Sequence, residues 1–110
     1  MNKMMANPPS VGEILVEEFL KPCNITQQQL ADAMGISRKV VSQIVNGSRR
    51  LTVAEGALIA ALFDMSCDFF LNIQHMSDRW EAHLLTEKHR WTPLVPSEFP
   101  YDDEVAAPAK

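Results

Sequence analysis

The spacing of apolar and polar positions along the chain is helical in five segments, and it predicts an all-α fold of five packed helices. The first segment begins at Ser10, because Ser10 and Glu13 have the spacing of a capping box. Pro22 is expected to end this helix, since the residue before a proline is disfavoured in helical conformation. The predicted core face consists of Ile14, Leu15, Phe19 and Leu20. Asn24 then suits a left-handed connection to the next helix.

The second and third segments lie in the stretch ITQQQLADAMGISRKVVSQIVNG, residues 25–47. Thr26 is expected to cap the first of these helices, and Gly35 to end it in left-handed conformation, which glycine adopts without steric cost. Ser37 is expected to cap the second helix, which Gly47 ends. Two short helices across a glycine-containing turn form a helix-turn-helix unit.

The fourth and fifth segments are richer in apolar residues. Thr52 and Glu55 predict another capping box. The buried stripe of the fourth helix is expected to be Ala54, Leu58, Ala61 and Leu62, widened by Ile59 and Phe63. Ser66 is expected to cap a fifth helix that continues toward Lys88. On one side it carries Phe69, Phe70, Ile73 and Met76.

The outward face of the third helix carries long hydrogen-bond donors and small groups, with no acid among them. A recognition helix enters the major groove, where Arg or Lys suits guanine, Gln suits adenine and a small apolar group suits a thymine methyl. The predicted base contacts are Arg38, Lys39, Val40, Ser42 and Gln43. The predicted phosphate contacts are Gln27, Ser37, Asn46, Arg49 and Arg50. The alternative interpretation is an ordinary helical hairpin with a solvated polar face.

The distribution of charge reconciles DNA binding with an acidic chain of formal net charge −4. Residues 26–50 carry one acid and four basic residues, a net charge of +3, whereas residues 51–110 carry a net charge of −6. Charges within about 10 Å dominate phosphate contact at ordinary salt, so a local basic patch is expected to bind DNA despite the total.

Two sets of residues resemble known families. The positions Thr26, Gln27, Leu30, Ala31, Gly35, Ile36 and Ser37 match the pattern of the lambdoid phage repressor and Xre-type helix-turn-helix family. The segment GEILVEEFLKP is similar to the opening of the HigA antitoxins, a branch of that family, and CDFFLNIQ resembles a later motif of the branch. The chain departs from the branch at Ser10-Val11 and at Asn24. The resemblance covers roughly residues 11–80.

This resemblance implies a lambda-repressor-like bundle and the antitoxin of a type II toxin–antitoxin pair. Such a protein represses its own operon and neutralises a small, basic, mRNA-cleaving toxin of the RelE or HigB type. A homodimer is expected, because related proteins bind two half-sites about 34 Å apart. The candidate dimer interface is Phe70, Ile73 and Met76, unless these residues face the core of the monomer. The candidate toxin-binding residues are Glu13, Glu17 and Glu18, unless they form only a solvated face.

Two other functions stay open. The first is a stand-alone Xre-type repressor with no toxin partner. The second is a protein-interaction module that has lost DNA binding. It is disfavoured because DNA-contacting residue types are present at the matching positions, namely Arg38, Lys39, Gln43, Arg49 and Arg50.

The remaining expectations concern organisation and chemistry. Residues 1–9 are predicted to be a mobile arm, residues 10–90 the DNA-binding domain, and residues 91–110 a flexible, acidic, proline-rich tail. No metal-ligand spacing, phosphate loop or nucleophile motif is evident, so no cofactor and no enzymatic activity are expected. Cys23 and Cys67 suit a reducing cytoplasm, and no apolar run is long enough to span a membrane.

Overall fold

In the part of the chain that the computed structural model describes, residues 7–95, the backbone forms five helices and no β-strand. Helix α1 spans residues 11–23, starting as an α-helix at Val11–Ile14, widening to a π-helix at Leu15–Leu20 and ending α-helical at Lys21–Cys23. The other helices are α2 (Gln27–Met34), α3 (Arg38–Asn46), α4 (Val53–Leu62) and α5 (Phe69–His89). The predicted all-α fold is therefore confirmed. Residues 1–6 of the predicted arm and residues 96–110 of the predicted tail lie outside the described residues.

Pro22 lies inside α1 and does not end it, so that prediction is wrong. Lys21 keeps right-handed helical dihedrals (φ −65°, ψ −51°), and the helix ends one residue after the proline. The π-helix changes the hydrogen-bond spacing directly before Pro22, with Lys21 N donating to the Val16 carbonyl. A proline has no N–H to donate, and the altered spacing lies where a regular helix would miss that bond. Asn24 then adopts the predicted left-handed conformation, with φ 57°.

The predicted caps of the first four helices are present. Ser10, Thr26 and Thr52 each form a reciprocal capping box, and Ser37 Oγ accepts a hydrogen bond from Val40 N. The prediction for α5 is wrong, because Ser66 does not cap this helix. Its N-terminal flanking residue is Asp68, which makes no side-chain capping bond, while Ser66 donates to the Asp68 carboxylate.

The hydrophobic core joins all five helices. Its buried side chains are Leu15, Leu20, Leu30, Ala31, Met34, Val41, Ile44, Leu51, Ile59, Ala60 and Phe70. Gly12 brings α1 directly onto the end of α3, since a Cβ at Gly12 would lie 2.0 Å from the Val45 carbonyl oxygen. Only glycine allows this approach, and α1 therefore packs directly against the backbone of α3.

The buried face of α4 differs from the predicted stripe. Gly56, Ile59 and Ala60 are the buried residues of this helix. All four members of the predicted stripe are exposed, namely Ala54, Leu58, Ala61 and Leu62. Almost every position of α4 is apolar, so helical spacing alone does not distinguish its inner face from its outer face. The fold therefore leaves an apolar stripe on the surface of α4.

Phe70 is at the centre of the core and is fully buried. Its ring lies 5.3 Å from the ring of Phe19 and 4.9 Å from that of Phe69, in tilted and edge-to-face arrangements that aromatic pairs favour. Ile73 packs against the same core, whereas Met76 is 53% exposed. The prediction that Phe70 lies at a dimer interface is therefore wrong, because its side chain has no free surface.

The second half of α5 extends away from the core. Every residue from 81 to 95 is exposed, including Leu84, Leu85 and Trp91. The helix nevertheless continues to His89, as predicted, and ends where Arg90 takes a left-handed conformation. Across residues 7–95, none of the helices combines the length and the apolar character that crossing a membrane requires.

Candidate DNA-binding surface

Helices α2 and α3 form the predicted pair across a short turn. Gly35 has φ 73° and ends α2, and its N–H donates to the Asp32 carbonyl. Ile36 N donates to the Ala31 carbonyl, and its side chain packs against the core between the two helices. Because α3 is anchored through Val41 and Ile44, its opposite face is presented to solvent.

The start of α3 carries two exposed cationic side chains. Arg38 and Lys39 are both exposed, and neither forms a salt bridge within residues 7–95. Both follow Ser37, so they lie in the first turn of the helix, where a recognition helix contacts base edges. This turn therefore combines uncompensated positive charge with the N-terminal end of the helix dipole.

The rest of the predicted base-contacting face is less exposed than the spacing suggested. Val40, Ser42 and Gln43 are half-buried, and Val40 packs against the core. Solvent still reaches parts of these side chains. The fully exposed face of α3 is thus narrower than predicted and concentrates on its first turn.

Two of the predicted phosphate contacts, Ser37 and Asn46, have a structural role. Ser37 caps α3. Asn46 is exposed, and its Oδ1 accepts hydrogen bonds from Ser48 N at 3.0 Å and Ser48 Oγ at 2.8 Å, which shapes the loop after α3. Gln27 is half-buried in the first turn of α2. In general, the N–H groups at a helix N-terminus can bind an anion such as a phosphate.

The two loop arginines are each paired with an acid from another element. Arg49 forms a salt bridge with Glu55 at the start of α4. The Arg50 guanidinium donates to both carboxylate oxygens of Asp78 on α5, at 2.6 and 2.8 Å. These pairs reduce the local charge, because adding Glu55 and Asp78 to residues 26–50 lowers the formal net charge from +3 to +1. The basic patch counted along the sequence is therefore partly neutralised in the fold.

These contacts change the acidity of both carboxyl groups. Hydrogen bonding from Arg50, with its positive charge, lowers the pKa of Asp78, although partial burial acts the other way. Partial burial tends to raise the pKa of Glu55, but hydrogen bonds from the Thr52 backbone and from Arg49 outweigh it and lower the pKa. One Glu55 oxygen completes the cap of α4 while the other accepts from Arg49. Both acids are thus held as carboxylates.

Gln74 fastens the same loop to α5, and the sequence analysis missed it. Its Oε1 accepts from Leu51 N at 2.8 Å, and its Nε2 donates to the Leu51 carbonyl at 3.1 Å. Gln74 and Asp78 are one helical turn apart, so α5 contacts consecutive residues of the loop. No local motif indicates this contact, since it joins positions 23 residues apart.

The comparisons with known proteins agree with this geometry. A family model described as helix-turn-helix matches residues 16–70, which is half of the chain. Over 82 residues the chain is 44% identical to Antitoxin HigA-1 of Vibrio cholerae serotype O1, covering 74% of this chain and 77% of that protein. The chain belongs to the helix-turn-helix family. Within it, the predicted likeness to the HigA-type, Xre-like branch is confirmed.

Two further helix-turn-helix relatives show how broad the similarity is. One is an uncharacterized HTH-type transcriptional regulator of Haemophilus influenzae, 41% identical over 71% of this chain and 73% of that protein. The other is the structure of Pseudomonas aeruginosa antitoxin HigA with the higBA promoter, at TM-score 0.70 and 31% identity, covering 80% of this chain and 99% of that one. Helix-turn-helix proteins of this kind are DNA-binding regulators and antitoxins, not enzymes.

The acidic residues predicted to bind a toxin lie along the exposed side of α1 in this helix-turn-helix protein. Glu13 belongs to the capping box of α1, and Glu17 forms an ion pair with Lys21 at 2.9 Å. Glu18 is exposed and forms no salt bridge among residues 7–95. A groove lined by Val16, Leu20 and Lys21 of α1 and by residues 24–27 adjoins this acidic side. No three His, Cys, Asp or Glu side chains within residues 7–95 cluster as metal ligands.

Proposed function

We propose that this protein is a cytoplasmic antitoxin that represses its own operon as a homodimer and neutralises an mRNA-cleaving toxin. The observation that carries the DNA-binding part is the first turn of α3, where Arg38 and Lys39 are exposed and have no acidic partner in the described part of the chain, residues 7–95. The antitoxin part rests on similarity to proteins named HigA, one of which was solved with its promoter.

In this proposal, α3 enters the major groove with its first turn against the bases. Arg38, Lys39 and Gln43 contact base edges, and the exposed parts of Val40 and Ser42 limit which bases fit. The proposed phosphate contacts on either side of the major groove are Gln27, Ser37 and Asn46. Arg49 and Arg50 contact the DNA backbone, and there the phosphates compete with Glu55 and Asp78 for the two guanidinium groups.

The first prediction is that Arg38→Ala weakens operator binding by about 1–3 kcal/mol and relaxes the preference at one base position. Arg38 makes no salt bridge within residues 7–95, so its loss removes a DNA contact rather than a contact that holds the fold. Affinity for the operator, for its single-base variants and for random DNA is measured by fluorescence anisotropy at one salt concentration.

The matched control is Lys88→Ala, which removes an exposed cation from the last turn of α5. It is expected to leave operator affinity nearly unchanged. If Arg38→Ala weakens binding to random DNA as much as to the operator, Arg38 contacts phosphate and the proposed base contact is wrong.

The homodimer is proposed to use the apolar stripe of α4. Ala54, Leu58, Ala61 and Leu62 lie along one side of that helix and are exposed, with Leu62 at 42%. Apolar side chains at this spacing normally face another surface. A second copy is the proposed occupant, because one module of this size buries only about 600–1,000 Å² on DNA and two modules match two half-sites. Met76 is the one residue of the earlier interface that is exposed enough to extend this surface.

The toxin is proposed to bind outside α2 and α3, on the acidic side of α1. Glu17 and Glu18 are exposed there, beside the groove between α1 and the start of α2. A basic nuclease would be attracted to this surface, and complementary charge mainly increases the association rate. DNA and toxin would then occupy separate surfaces.

The second prediction is that reversing both charges, Glu17→Lys with Glu18→Lys, slows association with the toxin by about tenfold or more at low salt. Association is measured by stopped-flow or biolayer interferometry with the purified toxin that the same operon encodes. The effect is expected to shrink as salt screens the charges.

The control is the equal reversal on the outer half of α5, Glu81→Lys with Glu87→Lys, which changes the net charge by the same amount. If this control slows association and the α1 variant does not, the toxin site lies on the C-terminal half. Competition between toxin and operator for Arg38 and Lys39 would contradict separate surfaces.

A stand-alone repressor is the second candidate, favoured by relatives that carry only a transcriptional-regulator name. It shares the DNA-binding surface, so operator binding does not distinguish the two. The neighbouring gene distinguishes them. If it encodes a small basic protein that binds this chain, the antitoxin function is supported, and if no such gene is present, the stand-alone repressor is supported. The third candidate, an interaction module without DNA binding, predicts that Arg38→Ala has no effect on any DNA.

A further inference from the structure

The Arg50–Asp78 pair joins the loop after the recognition helix to a helix outside the helix-turn-helix unit. Both carboxylate oxygens of Asp78 accept from the guanidinium, at 2.6 and 2.8 Å, in the two-bond geometry that arginine also uses for phosphate. The pair lies at the surface, with 66% of the Arg50 side chain and 39% of the Asp78 side chain exposed. A DNA phosphate and the Asp78 carboxylate would therefore compete for the same edge of the Arg50 guanidinium.

The loop does not need Asp78 to hold its position. The Gln74 side chain already binds both backbone groups of Leu51, and Leu51 itself is buried in the core. At the other end of the loop, Gln43 accepts from Ser48 N and Arg49 N through its carbonyl oxygen. With the backbone held at both ends, the main effect of Asp78 is on the charge and direction of Arg50.

We infer that Asp78 restrains non-specific DNA binding by competing with the DNA backbone for Arg50. Binding to random DNA comes almost entirely from cations that replace counterions on phosphates. While Arg50 is paired with Asp78, it brings no net charge to the DNA, so random sequences gain little from it. The operator, which also offers base contacts to α3, loses a smaller share of its binding free energy. Asp78 thus increases the ratio of specific to non-specific binding.

Glu55 pairs with Arg49 as Asp78 pairs with Arg50, but Glu55 is a less suitable residue to test. It forms the capping box of α4 with Thr52 in addition to the Arg49 pair, so its removal also affects the helix. Glu81 adds a further negative charge near Arg50 without a direct bond. Asp78 is the acid whose only side-chain hydrogen bonds among residues 7–95 are those with Arg50.

The test is Asp78→Asn, which keeps the size of the side chain and removes its charge. Affinity for random-sequence duplex DNA is expected to rise by about threefold to tenfold at about 0.1 M salt, and the slope of log affinity against log salt to steepen by about 0.9. The double variant, Asp78→Asn with Arg50→Ala, is expected to lose both gains. Glu87→Gln, which removes an exposed negative charge from the same helix away from Arg50, is expected to change neither quantity.

Two results would overturn the inference. A loss of affinity in Asp78→Asn, matching that of Arg50→Ala, would mean that Asp78 holds Arg50 in position for phosphate. An unchanged affinity and slope would mean that Arg50 does not approach DNA in either form.

The inference rests on the proposed DNA-binding function, and Arg38→Ala separates the two. If Arg38→Ala weakens operator binding while Asp78→Asn has no effect, only the role of Asp78 is wrong. If neither change affects any DNA, the proposed function itself fails.

Discussion

Phe70→Ala is expected to lower the free energy of unfolding by about 3–5 kcal/mol, the usual range for removing a buried phenylalanine ring. Phe70 is fully buried, and its ring packs on that of Phe19 from α1 and on that of Phe69, the preceding residue of α5. Small domains have total stabilities of about 5–15 kcal/mol, so this single change would remove a large share. The measurement is urea unfolding followed by far-ultraviolet circular dichroism, with the midpoint and slope compared to the unchanged protein.

The control for Phe70 is Met76→Ala on the same helix, at a position that is 53% exposed. Substitutions at surface positions typically change stability by less than about 0.5 kcal/mol. A Phe70→Ala protein that keeps its unfolding midpoint but sediments as a monomer would contradict the core position and restore Phe70 to an interface.

Leu62→Glu is expected to convert the proposed homodimer into a folded monomer and to weaken operator binding by a hundredfold or more, of the order of 3 kcal/mol. A carboxylate in the middle of an isologous apolar surface is buried twice, once from each copy, without a partner. Because Leu62 is 42% exposed in the monomer, the fold itself should tolerate the change. Sedimentation equilibrium gives the mass, circular dichroism the fold, and anisotropy the operator affinity.

The matched control is Val53→Glu, at the first residue of α4. Val53 is 74% exposed and lies half a helical circumference from Leu62, away from the proposed interface. The Val53→Glu protein is expected to have the same sedimentation mass as the unchanged protein. A dimeric Leu62→Glu protein would show that the interface lies elsewhere, with the exposed outer half of α5 as the next surface to test.

Most of the local features of the DNA-binding unit follow from short stretches of sequence. The caps at Thr26 and Ser37 and the left-handed glycines at 35 and 47 each depend on residues within one turn of each other. Hydroxyl groups accept from helix N–H groups, and glycine tolerates positive φ, wherever the chain is placed. These features were therefore predictable without any knowledge of the packing.

The inner and outer faces of the apolar helices were not predictable in the same way. In α4 nearly all positions are apolar, so several stripes fit the helical period equally well. The fold selects Gly56, Ile59 and Ala60, partly because Gly56 admits the Leu71 side chain of α5. The same uncertainty placed Phe70 on a surface when it belongs to the core.

The amino-acid sequence by itself determined the five helices, the caps of the first four, the helix-turn-helix unit and the family, because these depend on neighbouring residues and on a local motif. Only the tertiary structure decided which cations remain available to DNA. Arg49 and Arg50 look equivalent to Arg38 and Lys39 along the chain, but the fold brings Glu55 and Asp78 beside them. The Arg50 partner is 28 residues away, and Coulomb interaction depends on distance in space rather than along the chain.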